Sequence, residues 1–197
     1  MRLLFLHGWG LDASLWDGVR AALPDHETVA MDRGYFGPPM NDRPPGPFVA
    51  VGHSLGAMLL AGTSGLAGLI AVNGFDRFTG GDAVPPRVVE RMRTRFAEAP
   101  AEVLGDFRAR IGAGEAPDHI EPDILAADLD LLAAPHPQPC ERRDVLVLHG
   151  GADPLLPASM REAVFAGAPR ETLAEAGHLL PLTHPSWVAE RIRAFAA

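Results

Sequence analysis

Ser54, Asp153 and His178 are the residues of this chain whose types could together supply a nucleophile, a general base and a group that orients the base. A neutral serine hydroxyl is a poor nucleophile, so it needs an imidazole to take its proton. An aspartate would hold that imidazole in the required tautomer and stabilise its charged form. Chemistry of that kind is acyl transfer through a serine ester. Ser54 lies in Val51-Gly52-His53-Ser54-Leu55-Gly56, a Gly-x-Ser-x-Gly pattern after an apolar run and before a helical segment. That is the form of a sharp strand-to-helix turn with a serine at its tip. Each residue also has a plainer reading, as a turn serine, an Asp-Pro turn and a packed histidine. What joins them is position, because each follows a predicted strand and they come in the order Ser, Asp, His.

The strands that must position them are short apolar runs, most of them closed by glycine: Leu3–Leu6, Thr28–Asp32, Phe48–Gly52, Leu69–Asn73, Val145–Leu148 and Glu171–Ala174. Such runs suit strands buried on both faces of a parallel sheet. Helical spacing separates most of them. Asp12 reads as an N-cap before Leu15, Trp16, Val19 and Leu23, and another helix starts at Leu55, cut short by Gly62 and Gly65. Ser159–Phe165 and Trp187–Phe195 read as later helices, and residues 34–47 as an irregular Gly/Pro-rich loop.

No strand is predicted between Phe75 and Cys140. Three helical segments are, around Val88–Phe96, Val103–Ile111 and Ile124–Leu132, punctuated by prolines that include Pro85, Pro122, Pro135, Pro137 and Pro139. The expected fold class is therefore α/β, a mainly parallel sheet of about six strands with helices on both faces. Residues 1–197 form a single domain in this reading, with 75–140 as a helical lid insertion.

An oxyanion needs donors fixed in advance. The backbone N–H of Leu55, just after the serine, would supply one. The second is expected from the loop His7-Gly8-Trp9-Gly10, at Trp9 N–H. Asp76, after the fourth strand, is the rival acid, whereas His7 and His53 are expected to shape their loops. No ligand spacing such as His-Glu-x-x-His is present, so neither a metal nor another cofactor is implied.

A net charge of −8 and a pI near 5.4 disfavour nucleic acid as a partner. The chain contains no lysine, and its one cysteine, Cys140, excludes an intrachain disulfide. No apolar stretch approaches the roughly 18 residues of a membrane span, and no signal-peptide pattern is present, so a cytoplasmic protein is expected. Charge is distributed unevenly. Arg87, Arg91, Arg93, Arg95, Arg108 and Arg110 stand against Glu90, Glu98, Glu102 and Asp106, a net +2 segment in an acidic chain.

Leu6-His-Gly-Trp-Gly-Leu-Asp12, Gly52-His-Ser-Leu-Gly56, His149-Gly-Gly-Ala-Asp-Pro154 and Ala176-Gly-His178 together resemble the α/β-hydrolase superfamily over nearly the whole chain. The His-Gly-Trp-Gly-Leu opening and the arginine-bearing insertion are similar to the pimeloyl-acyl-carrier-protein methyl ester esterases of biotin synthesis. The resemblance implies Ser54 as nucleophile, Asp153 as acid, His178 as base, and Trp9 and Leu55 as oxyanion donors. It also implies a carrier-bound methyl ester as substrate, with the acidic carrier protein met by insertion arginines, for which Arg87, Arg91, Arg95 and Arg108 are the candidates. The chain departs from the family in beginning at the strand usually counted third, and residues 34–47 leave little room for the helix before the elbow. A general short-chain esterase or lactonase without a carrier is the alternative. A non-catalytic binder on the same fold is another, disfavoured by the intact Ser, Asp and His.

Overall fold

The computed structural model describes residues 1–134 and 144–196. Cys140 and the prolines Pro135, Pro137 and Pro139, with the end of the expected insertion, lie outside the described residues. Six strands form one sheet: β1 (Arg2–Leu6), β2 (Glu27–Met31), β3 (Phe48–His53), β4 (Leu66–Val72), β5 (Val145–Gly150) and β6 (Arg170–Leu173). Their order is β2-β1-β3-β4-β5-β6 and every neighbouring pair is parallel. This is the expected fold.

Side chains alternate across the sheet, and both faces are apolar. Leu4, Leu6, Ala50, Leu69, Ala71, Val145 and Val147 bury one face, beneath α2 (Leu55–Ala61) and beside Met160 of α6 (Ala158–Ala163). Leu3, Phe5, Val49, Val51, Ile70, Val72, Leu146 and Leu148 bury the other. That face is covered by Trp16 and Val19 of the N-terminal helical segment and by Val188, Ala189 and Ile192 of α8 (Pro185–Ala196). A strand sealed on both sides is why the sequence shows unbroken apolar runs rather than alternation.

The first helical stretch is divided. Asp12 caps it as expected, accepting from Ser14 N, but Ala13–Trp16 is a 3₁₀ turn that hands over to α1 (Asp17–Ala21). β4 begins at Leu66 rather than Leu69: Leu66 pairs with Phe48 and Gly68 with Val49, and the register shift between them leaves Ala67 as the extra residue of a bulge. Residues 34–47 hold no helix and no strand of the sheet, so β2 passes to β3 through an irregular loop.

The insertion supplies α3 (Pro86–Glu98), α4 (Pro100–Ile111) and α5 (Pro122–Ala133). Each starts with proline in its first turn, where the missing N–H costs no bond. The short α7 (Leu180–Thr183) precedes α8. The insertion is fastened to the body by an ion pair whose carboxylate is buried. Asp128 of α5 is fully buried and receives a fork from Arg33, at 2.5 and 2.7 Å, and the hydroxyl of Tyr35. Among the described residues no helix is long and apolar enough to cross a membrane.

Candidate active site

The C-terminal ends of the strands share one edge. Leu6 pairs with Gly52, Gly52 with Ala71, and Val72 with Leu148. The residues that follow these ends are His7, Ser54, Asn73 and the loop to Asp153, while β6 leads on to His178. Parallel sheets gather ligands at this edge.

Ser54 sits between β3 and α2 with φ 52° and ψ −121°, in a region that non-glycine residues rarely enter. Holding a side chain there costs about 1–3 kcal/mol. The turn is tight enough to require its glycines. A Cβ on Gly52 would lie 2.4 Å from Ala57 Cα, and one on Gly56 would lie 2.4 Å from the Leu6 carbonyl oxygen. The first-strand loop crosses directly over the serine. A Cβ on Gly8 would come within 2.8 Å of Ser54 Cβ and 2.9 Å of His53 Nδ1. That loop carries Trp9, and Leu55 opens α2, where a first-turn N–H has no acceptor inside the helix.

Asp153 and His178 meet at 2.8 Å, from His178 Nδ1 to Asp153 Oδ2. Asp153 Oδ2 also accepts from Asn73 Nδ2 at 2.7 Å, and Oδ1 from the N–H groups of Leu155 and Leu156 at 2.8 and 3.3 Å. Burial works to raise the carboxyl, but His178 and these donors outweigh it and hold it at about 2. An ionised Asp153 is an acceptor only, so it fixes the proton on His178 Nδ1 and leaves Nε2 bare. Among the described residues the buried Nε2 has no hydrogen-bond partner, Ser54 Oγ included.

His53 completes the arrangement from the residue beside Ser54. Its Nε2 donates to the His178 carbonyl at 2.8 Å, and the two rings stand 4.8 Å apart, edge to face. Burial, reinforced by the neighbouring His178, pushes the His53 imidazole down to about 3, so it stays neutral. His7 likewise works within its loop, with Nδ1 against Gly8 O and Nε2 accepting from Arg33 N.

Asp76 does not reach the histidine. It lies buried, with Oδ2 accepting from Phe165 N at 3.1 Å. Asn73 was not anticipated as a site residue. Its one sequence signal is its place at the end of the fourth strand, and in the structure it has φ 44°, as a strand end turned to aim its amide at Asp153.

A cavity of about 700 Å³ opens on Ser54, Trp9 and Asp153, walled chiefly by apolar residues of the insertion such as Val89, Met92 and Leu129. That size suits a small-molecule site. Of the expected partner-binding arginines, Arg91 and Arg95 line this cavity. Arg95 is already engaged by Glu102 and Asp106 at 2.7 and 3.1 Å. Arg87 and Arg91 carry no ion pair among the described residues. Arg108 is a correction to the sequence reading. It is buried and bonded to three backbone carbonyls, so it cannot face a partner. Counting charges along a helix does not reveal which guanidinium turns inward. Among the described residues, no three His, Cys, Asp or Glu side chains are grouped to hold a metal.

Two buried imidazoles make stability depend on pH. Burial outweighs the attraction of Asp153 and pushes His149 down to about 4, and His53 lies at about 3, against an unfolded value near 6.5. Between these limits the unfolded chain binds more protons, so stability rises with pH up to about 6.5 and levels off above it. Each imidazole then forfeits on the order of 3 kcal/mol by pH 4. Thermal melts are expected to show Tm falling steadily from pH 7 to 4, with a shallower fall in His149→Asn. Parallel slopes would remove His149 from this account.

The model of the alpha/beta hydrolase family matches residues 39–191. No curated protein sequence matches. Among solved structures, an esterase from Exiguobacterium antarcticum superposes with a TM-score of 0.81 at 16% identity, covering 99% of this chain and 91% of that one. An esterase from Thermogutta terrifontis gives 0.68 at 22% identity, over 100% and 89%. A hydrolase from Oleispira antarctica gives 0.74 at 12% identity, over 98% and 90%.

Proposed function

The chain belongs to the alpha/beta hydrolase family, and from that premise we propose that it is a serine carboxylesterase working through an acyl-enzyme. The observation that carries the reading is the Asp153–His178 hydrogen bond at the strand edge where Ser54 is held in its strained turn. Ser54 Oγ attacks the ester carbonyl carbon while His178 Nε2 takes its proton. The oxyanion of the tetrahedral intermediate is received by the N–H groups of Leu55 and Trp9. Collapse expels the alcohol, which leaves with the proton from His178. Water then repeats the sequence on the acyl-serine, releasing the carboxylic acid and restoring Ser54. Throughout, Asp153 stays ionised and stabilises the imidazolium.

The acyl group is assigned to the apolar cavity beside Ser54. Its proposed source is the methyl ester of a pimeloyl chain on acyl carrier protein, with Arg87 and Arg91 as the cations left to meet the acidic carrier. The engagement of Arg95 by two carboxylates favours a second version, a soluble ester with no carrier. Arg87→Glu, at an exposed cation outside the cavity lining, separates them. If a carrier docks there, kcat/KM on the carrier-bound ester falls at least about tenfold, as for a steering charge, while a soluble p-nitrophenyl ester is cleaved as before. An unchanged kcat/KM on both substrates would select the soluble-ester version.

A further inference from the structure

The insertion reaches into the oxyanion loop through a buried cation. Arg108 of α4 donates from Nη1 to Gly10 O at 2.7 Å, from Nη2 to Ala113 O at 2.9 Å and from Nε to Glu115 O at 3.2 Å. Its guanidinium lies 5.6 Å from the centre of the Phe36 ring. No carboxylate pairs with it among the described residues, and burial pushes the guanidinium down from its usual range. Asp12 attracts it without pairing with it, and a buried charge that lacks a paired counter-charge is costly, so its retention calls for a reason.

Closing α4 is not that reason. Gly112, at φ 78°, already ends the helix, and its N–H meets the carbonyls of Ala109 and Arg108. What the guanidinium alone does is join the segment after α4 to Gly10. Gly10 is the residue after Trp9, and it packs closely on α4, since a Cβ there would lie 2.9 Å from Leu104 Cδ1. Trp9 is held from its other side as well. Its Nε1 donates to Leu125 O of α5 at 2.9 Å, and its indole packs edge-on against Phe107 and Phe96 at 4.9 and 5.9 Å.

We propose that Arg108 is a positioning residue, which fixes the Gly10 carbonyl so that the Trp9 N–H is aimed at the oxyanion. The inference rests on the serine-esterase reading of the site. Three convergent carbonyls demand a planar fork of donors, which arginine has and lysine lacks. A loosened Trp9 N–H would cost transition-state binding and leave ground-state binding of the acyl group alone.

The test compares wild type, Arg108→Lys, Arg108→Met and Ser54→Ala on a p-nitrophenyl ester. It adds the affinities of a trifluoromethyl ketone, whose serine adduct carries an oxyanion, and of the matching unreactive amide. Arg108→Lys keeps a cation for one or two of the carbonyls, so the fold survives if the Met variant unfolds. Both Arg108 variants should lose about tenfold or more in kcat, with KM within about twofold. The ketone should weaken by the same factor as kcat and the amide should not. Full kcat in a folded Arg108→Lys, or equal weakening of ketone and amide, would overturn the proposal. An active Ser54→Ala would instead overturn the reading beneath it, whatever the Arg108 variants do.

Discussion

Ser54→Ala lowers kcat on an activated ester by roughly 10⁴-fold or more, with the fold unchanged. Alanine occupies the same φ and ψ as serine, so the strain of the turn persists and stability is expected to change by less than about 1 kcal/mol. What disappears is the atom that becomes acylated. With wild type, rapid mixing should release one equivalent of alcohol per active site before the steady rate whenever deacylation is the slower step. The alanine variant should release none. Its residual activity is that of a site which still binds the acyl group and offers backbone donors to the oxyanion. A variant retaining its burst would remove Ser54 from the chemistry.

Asp153→Asn is the second large effect, about 10⁴-fold in kcat, and its cause can be read from the carboxylate's four donors. The N–H groups of Leu155 and Leu156 both point at Oδ1. They hold an amide oxygen there, so the amide nitrogen must take the Oδ2 position. That position already faces two donors, Asn73 Nδ2 and His178 Nδ1. The imidazole escapes the clash by moving its proton to Nε2, where it can no longer accept one from Ser54. Asp76→Asn serves as the contrast. It weakens one bond to Phe165 N and lies apart from His178, so the expected cost is about 1 kcal/mol of stability and little activity. Urea unfolding and steady-state kinetics on both variants check the pair. A larger kinetic loss in Asp76→Asn would make Asp76 the acid.

Much of the sheet was legible because its signal is local. Apolar runs such as Leu3–Leu6 and Val145–Leu148 end where the chain must turn, and the strand ends give the order of Ser54, Asp153 and His178 along one edge. The supporting contacts were not legible, since each joins residues far apart in sequence. Asn73 meets Asp153 across 80 positions, Arg33 meets Asp128 across 95, and Arg108 meets Gly10 across 98. No window of residues holds both partners of such a bond. The arginines of the insertion show the same limit in another form. Their number suggests an open cationic face, yet Arg93 is matched by Glu90 and Asp130, and Arg95 by Glu102 and Asp106. Whether a charge is free is a property of the fold.

The fastening of α5 bears on how this enzyme family could be re-engineered. Insertions between sheet strands invite exchange as cassettes, with one relative's helices spliced onto another's sheet. Here the splice points are not the only seams. Asp128 would arrive without the Arg33 and Tyr35 that neutralise and satisfy it, and Leu125 O without the Trp9 indole. An orphaned buried carboxylate costs about 3–5 kcal/mol, enough to unfold many domains. A workable chimera therefore transplants Trp9, Arg33 and Tyr35 together with the insertion that carries α3, α4 and α5. Among natural relatives, the three positions whose side chains bond one another, 33, 35 and 128, should vary as a set.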